Sequence, residues 1–144
     1  MALDFYLYGS QLTRPLPYDA LRALLETSQR NNARSGLSGF LHIEDGIVLQ
    51  YLEGPPDKLQ ETIDRIKRDP RHTSFLEIER GALERRFFED WNMALVENTT
   101  LALRDLVETP QHERPDLRKI SADDLITLLC ANSSYLRQRP SIVA

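Results

Sequence analysis

The hydrophobic pattern begins with an alternation of apolar and more polar residues, which is typical of a β-strand. It runs from residue 3 to residue 8 and ends at Gly9-Ser10. After prolines at positions 15 and 17, leucines at helical spacing predict a helix from Tyr18 to the asparagines Asn31-Asn32. The first part of the chain is therefore predicted to be a strand followed by a helix.

A β-hairpin and a second helix are predicted next. Two apolar segments, 36–43 and 47–53, flank Asp45-Gly46, a sequence that favours a tight hairpin turn. Pro55 and Pro56 stand where the first turn of a helix tolerates proline, and Asp69-Pro70 ends the helix. Two more strands are predicted, one from Phe75 to about Leu83 and one over residues 91–97.

This order of elements predicts the fold class. It is an α+β fold, a ferredoxin-like βαββαβ sandwich with an additional strand and two C-terminal helices. The first of these helices should start at Thr99 or Thr100 and run to about Glu108, and the second should open at Ser121. Its apolar stripe is Leu125, Leu128, Leu129 and Tyr135, which we expect on the open face of the sheet. We divide the chain into a domain of residues 1–97 and a helical cap or output segment of residues 98–144.

Composition and charge narrow the possible partners. The chain has 144 residues, 41% of them hydrophobic, with a net charge of −4, so we expect no nucleic acid and no anionic membrane surface as partner. No apolar run is long enough to span a membrane, and the N-terminus lacks the features of a signal peptide. The single cysteine, Cys130, excludes an internal disulfide. We therefore expect a cytoplasmic protein.

Gln50 is the most informative polar residue. It lies in an apolar strand, between Leu49 and Tyr51, and shares a strand face with Val48 and Leu52. Burying its amide without a hydrogen bond would cost about 1–3 kcal/mol. Either another side chain or a ligand must therefore pair with it.

Other polar and aromatic residues are ambiguous when each is taken alone. Tyr8 is an ordinary strand residue, and the asparagines after the first helix suit a helix end. Trp91 and Met93 share one strand face, where core packing is the usual role. These residues gain significance only together with the motifs around them.

Six short motifs follow one another in a characteristic order. They are Tyr8-x-Ser10, Ser28-x-x-Asn31-Asn32, Gly36-Leu37-Ser38-Gly39, Leu49-Gln50-x-Leu52-Glu53-Gly54, Asp69-x-Arg71-His72 and Arg86-x-Phe88-x-x-Trp91-x-Met93. With these motifs the chain resembles a BLUF domain, a blue-light sensor that uses flavin adenine dinucleotide (FAD). Two of these motif regions depart from the usual pattern: Val48 replaces an aromatic residue, and Gly-Leu-Ser-Gly replaces Gly-Ile-Thr-Gly.

The resemblance implies FAD as cofactor and assigns roles to particular residues. Tyr8 and Gln50 would be the photochemical pair, and Trp91 and Met93 would relay the signal. The residues implied in cofactor binding, besides Gln50, are Leu24, Ser28, Asn31, Asn32, Arg65, Ile66, Asp69, Arg71 and His72. Asparagine amides suit the polar edge of the flavin because they both donate and accept hydrogen bonds. Leu24 and Ile66 would contact the ring faces.

Three other functions compete with a photosensor. An enzyme of this fold would need a glycine-rich phosphate loop after the first strand, and the residues there, Gly9 to Leu12, do not form one. The histidines and Cys130 do not have the spacing of metal ligands. We therefore expect neither enzymatic turnover nor a metal site. An RNA-binding module would need basic and aromatic residues on its central strands, and residues 46–50 contain neither. A cofactor-free interaction domain stays open, since bound flavin alone distinguishes it. We expect the partner to be an unidentified downstream protein, and the chain to form a homo-oligomer.

Overall fold

The computed structural model describes residues 2–88, 94–96 and 101–138, with side chains for 2–88 and 101–132. The strands are β1 (Leu3–Leu12), β2 (Ser38–Glu44), β3 (Ile47–Gly54), β4 (His72–Leu83) and β5 (Ala94–Val96). The α-helices are α1 (Tyr18–Ser35), α2 (Pro56–Lys67) and α3 (Ala122–Gln138), and two 3-10 turns span Leu103–Asp105 and Leu117–Lys119. This element order confirms the predicted α+β, ferredoxin-like βαββαβ fold with its additional strand.

The sheet has the strand order β4-β1-β3-β2-β5. Neighbouring strands are antiparallel except for β5, which pairs in parallel with β2. In the central β1–β3 pair, Tyr8 lies directly opposite Gln50. The register of this pair therefore brings together two residues that are 42 positions apart in the sequence.

The hairpin prediction is confirmed, and the predicted end of the first helix is wrong. Asp45 and Gly46 both have positive φ angles, 52° and 78°, as the tight turn between β2 and β3 requires. Helix α1 continues past Asn32 to Ser35, because the first left-handed residue is Gly36, with φ 70°. The asparagines therefore lie within the helix and project side chains from its face.

The two faces of the sheet have different cores. Tyr8, Val48 and Leu52 face α1 and α2, whereas Leu7 and Leu49 face the C-terminal segment. Three fully buried residues of α3 complete this second core: Leu125, Leu128 and Leu129. The C-terminal segment therefore covers the face of the sheet that the helices α1 and α2 leave open. The side chain of Tyr135 lies outside the described residues.

The first predicted C-terminal helix is wrong over its described part, residues 101–108. This segment contains only the 3-10 turn Leu103–Asp105. Its backbone N–H groups have tertiary partners instead: Leu103 N donates to Glu44 Oε1 at 2.7 Å, and Leu101 N donates to Asn132 Oδ1 at 3.3 Å. The second predicted helix is confirmed, with Ser121 Oγ accepting from Asp124 N at 3.1 Å.

Two predictions concern residues that the structure does not describe. Trp91 and Met93 lie outside the described residues, and the strand predicted over residues 91–97 is described only at Ala94–Val96. The division of the chain at residue 97 stays a prediction. Within the described ranges no helix combines the length and apolar character that crossing a membrane requires, and no group of potential ligands for a metal ion occurs.

Candidate functional site

A cavity of about 220 Å³ opens between α1, α2 and the sheet. Its floor is formed by β1, β2 and β3, and its walls by the two helices and the start of β4. Every candidate binding or photochemical residue within the described ranges lines this one cavity: Tyr8, Leu24, Ser28, Asn31, Asn32, Gln50, Arg65, Ile66, Asp69, Arg71 and His72. Residues from five separate elements thus meet at one place.

Tyr8 and Gln50 form a hydrogen-bonded pair at the floor of the cavity. Alternation along β1 and β3 turns both side chains toward the helices, where they are 3% and 8% exposed. The Tyr8 hydroxyl donates to Gln50 Oε1 in a short hydrogen bond. The Tyr8 ring is also fixed by stacking on Phe75, with a centroid distance of 4.6 Å. Pairing with Tyr8 accounts for the amide oxygen of the buried glutamine.

The surroundings of Tyr8 keep its hydroxyl protonated. Burial raises the pKa of Tyr8 well above its ordinary value of 10, and the negative charge of Asp69 raises it further. A phenol in this setting holds its proton throughout the neutral range. It can release that proton only toward an acceptor within hydrogen-bond reach, which is the position of Gln50 Oε1.

Helix α1 contributes the polar wall of the cavity. Ser28, Asn31 and Asn32 are three and four residues apart, so they project from one helix face together with Leu24. Asn32 is 3% exposed, and Asn31 is half-buried. This face therefore presents amide donors and acceptors beside an apolar surface.

Asp69 and Arg71 lie at the mouth of the cavity. The Arg71 guanidinium contacts both carboxylate oxygens of Asp69, with Nε at 2.9 and 3.0 Å. This pairing holds the pKa of Asp69 below its ordinary value. Arg65 and Arg71 are exposed, so the mouth offers guanidinium groups to the solvent. Such groups suit a phosphate group at the rim.

His72 joins the end of α2 to β1. Its Nε2 lies 2.7 Å from the carbonyl oxygen of Ile66, which can only accept, so Nε2 carries the proton. In the neutral ring Nδ1 then accepts from Ser10 Oγ, also at 2.7 Å. This bridge fixes Ile66 against the strand that carries Tyr8.

Sequence reasoning missed most of the apolar lining. The cavity is also lined by Leu12, Leu16, Leu21, Leu25, Leu41, Ile43, Val48 and Leu52, with Thr27 and Thr62. The signal for several of them was present, since Leu41 and Ile43 alternate along β2 and Val48 and Leu52 share the face of Gln50. Val48, the departure from the usual pattern, lies on this floor and is 7% exposed.

The lining fits a flavin dinucleotide. A flat apolar ring needs apolar walls on both sides, which Leu24 and Ile66 offer from the two helices. The ring's polar edge needs donors and acceptors, which Asn31, Asn32 and Gln50 can supply. The arginines at the mouth suit the phosphates.

The chain is similar in sequence to a family of light sensors and to photoactivated enzymes. The family model described as BLUF, sensors of blue-light using FAD, matches residues 3–94. The photoactivated adenylate cyclase subunit beta-like protein ST- of Euglena gracilis is 35% identical over 96 residues, which are 66% of this chain and 11% of that protein. The subunit beta of the same organism is 34% identical over the same shares. This chain thus matches about a tenth of the length of these curated relatives.

Solved structures show the same architecture over nearly the whole chain. The dark-state structure of the BLUF protein BlrB is 28% identical with a TM-score of 0.74, covering 93% of this chain and 96% of that one. The photo-activated state of BlsA has a TM-score of 0.75 at 20% identity, covering 88% and 91% of the two chains, a likeness of fold. Because the family model covers well over half of the sequence, the chain belongs to the BLUF family of blue-light sensors that use FAD.

Proposed function

We propose that Tyr8 and Gln50 form the light-driven switch of this blue-light sensor, and that the C-terminal segment passes the change to a partner protein. The observation that carries the proposal is the buried hydrogen bond from the Tyr8 hydroxyl to Gln50 Oε1 at the cavity floor. An oxidisable phenol with a proton acceptor already in place is suited to releasing an electron and a proton together.

Bound FAD supplies absorption of blue light and an excited state that oxidises a nearby donor. Tyr8 would give one electron to the excited FAD and its hydroxyl proton toward Gln50 Oε1, through which the proton would reach FAD. The raised pKa of Tyr8 keeps this proton in place in the dark. Both the electron and the proton later return to Tyr8, so no residue is consumed.

Electron and proton transfer from Tyr8 changes the hydrogen bonds of the Gln50 amide. Its nitrogen and oxygen differ in hydrogen-bonding role, so rotation or tautomerisation changes which group it presents to Tyr8 and which to the cavity. In the new arrangement the Gln50 amide would make a stronger hydrogen bond to the edge of bound FAD, which would shift its absorption to the red. Burial at 8% exposure excludes most competing water, so the new state persists until the amide turns back.

Absorption spectra of the purified, FAD-loaded chain test this switch, recorded in the dark and after blue light. We expect a reversible red shift in the wild type and none in Tyr8→Phe or Gln50→Leu, with FAD retained in both. Tyr51→Phe is the matched control, because Tyr51 is a fully buried tyrosine on the other face of the sheet. A normal shift in Tyr8→Phe would disprove the assigned roles. A chain that refuses FAD would favour a cofactor-free interaction domain.

Output through residues 98–144 is the second part of the proposal. Trp91 and Met93 would relay the change at Gln50 to β5, which pairs with β2 beside the C-terminal core. The curated relatives are named as photoactivated adenylate cyclases, and this chain matches only 11% of their length. We propose an unidentified downstream protein as partner and a homo-oligomer as the working state. Size-exclusion chromatography in the dark and under blue light tests the assembly.

A further inference from the structure

Three motif pieces take no part in lining the cavity. They are Gly36–Gly39 before and within β2, Glu53-Gly54 at the end of β3, and Arg86–Phe88 after β4. The structure brings all three together at the end of the sheet where β2 begins and β3 ends, since Ser38 pairs with Glu53. We call this meeting point the clasp: Glu53 and Arg86 with the groups they bind on Gly36, Ser38, Phe87 and Phe88.

Glu53 is a fully buried carboxylate that binds backbone amides. Its Oε1 accepts from Phe87 N at 2.7 Å and from Phe88 N at 2.9 Å, and its Oε2 lies 2.8 Å from Phe87 N. A buried charge is tolerated only where hydrogen bonds compensate for the lost hydration. The amides of residues 87 and 88 supply that compensation, so Glu53 fixes the chain directly after β4.

Arg86 completes the clasp from the same segment. Its Nη1 donates to Ser38 Oγ at 2.8 Å and to the Glu53 carbonyl oxygen at 3.4 Å, and its Nη2 donates to the Gly36 carbonyl oxygen at 2.5 Å. A planar guanidinium reaches these separate acceptors at once, which a lysine cannot do. The hydroxyl of Ser38 explains why serine can stand where the family usually has threonine.

The clasp connects the switch to the other side of the sheet. Gln50 faces the cavity, whereas Glu53, three residues further along β3, faces the opposite side. There Phe88 packs on Phe40 and Tyr51, with centroids 5.7 and 5.3 Å apart, within the core that α3 covers.

We propose that Glu53 and Arg86 are positioning residues that couple the Tyr8–Gln50 switch to the C-terminal segment. A shift of β3 at Gln50 is carried along a stiff strand to Glu53, whose carboxylate moves the amides of residues 87 and 88. Through Phe88, which packs on Phe40 and Tyr51, the shift reaches the C-terminal core. This inference rests on the proposed function, because it needs the switch at Gln50.

Two variants weaken the clasp without entering the cavity. Glu53→Gln keeps the length but places an NH₂ group where Oε2 faced the Phe87 amide, and Arg86→Lys removes the fork that reaches three acceptors. Glu84→Gln and Arg85→Lys are matched controls, since both residues are exposed and lie within two positions of Arg86 in the sequence. The experiment measures the light-minus-dark difference in amide hydrogen exchange over residues 101–138, with the red shift recorded in the same samples.

We expect both clasp variants to bind FAD and to show the wild-type red shift. Their light-minus-dark difference in hydrogen exchange should fall by about fivefold or more, because coupling between two sites typically changes an equilibrium constant by at least about fivefold. Both controls should keep the full difference. Rescue in a charge-retaining variant is a further check: Arg86→Lys should lose less than Arg86→Ala.

Three results would overturn the inference. Folded clasp variants with the wild-type exchange difference would show that the signal takes another route. Loss of FAD or of the red shift together with the exchange difference, or failure of both variants to fold, would make the clasp purely structural. A wild-type chain without any red shift would instead overturn the proposed function, and this inference with it; the spectrum distinguishes that case.

Discussion

Replacing Leu125 by alanine tests whether the C-terminal helix is part of the folded core. Leu125 is fully buried in α3 and belongs to one cluster with Leu7, Phe40 and Leu49 on the second face of the sheet. Truncation of a buried leucine removes apolar contacts and leaves a cavity, at a cost of about 3–5 kcal/mol. For a chain of this size that loss lowers Tm by about 10–17 °C.

Urea unfolding and thermal melting of the FAD-loaded protein measure this loss. Thr127→Ala is the control, because Thr127 is exposed on the same helix and should change stability by no more than about 0.5 kcal/mol. The red shift should persist in Leu125→Ala, since Leu125 does not line the cavity. Leu125→Asp should destabilise more, because it buries a charge in the same cluster.

An unfolding free energy of Leu125→Ala within about 0.5 kcal/mol of wild type would refute this reasoning. It would mean that α3 leaves the sheet without weakening the cooperative core. If Leu125→Asp were also stably folded but lost a partner or the oligomer, Leu125 would be an interface residue. Leu128 and Leu129, equally buried, should then behave like Leu125.

Three further predictions concern pH, backbone crowding and signal relay. Because burial raises the pKa of Tyr8, the unfolded chain loses the hydroxyl proton at a lower pH than the folded chain does. The Tyr8 contribution to the unfolding free energy should therefore hold below pH 10 and fall above it. Urea unfolding measured against pH should show this fall, and it should be less steep in Tyr8→Phe. A Cβ on Gly39 would lie 2.0 Å from the Tyr51 carbonyl oxygen, so Gly39→Ala should lower the unfolding free energy by about 3 kcal/mol. Gly81→Ala should cost less, because the nearest atom to its Cβ, at 3.2 Å, belongs to the movable ring of Phe5. Met93→Ala should change the dark-recovery rate measured by absorption but retain FAD; loss of FAD would mean a packing role.

Local patterns predicted most of the fold. Asp45-Gly46 specified the hairpin, because few other residues adopt two successive positive φ angles at low cost. The prolines at 55 and 56 marked the start of α2. The helix predicted over residues 101–108 failed, because backbone groups there bind Glu44 and Asn132, which are remote in the sequence. Periodicity carries no information about such distant partners.

The sequence predicted part of the candidate site. The family resemblance named residues that the structure does gather around the cavity, such as Tyr8, Asn31 and Gln50, but it left out apolar residues such as Leu16 and Leu41, which carry no distinctive chemistry. It also left Glu53 and Arg86 without a role. The sequence does not distinguish a buried glutamate from an exposed one. The backbone amides of residues 87 and 88 that bind Glu53 come close to it only in the folded chain.

The sequence by itself determined the order of strands and helices from β1 to β5, the hairpin turn and the chemistry available to the site. These depend on residue type and spacing over a few positions, which local sterics and burial patterns decide. Tertiary structure decided the register that sets Tyr8 opposite Gln50, the pairing of Glu53 with the amides after β4, and the packing of α3 on the second face. Each of these joins segments distant in the chain, and only the packing of a complete sheet selects one such arrangement among many.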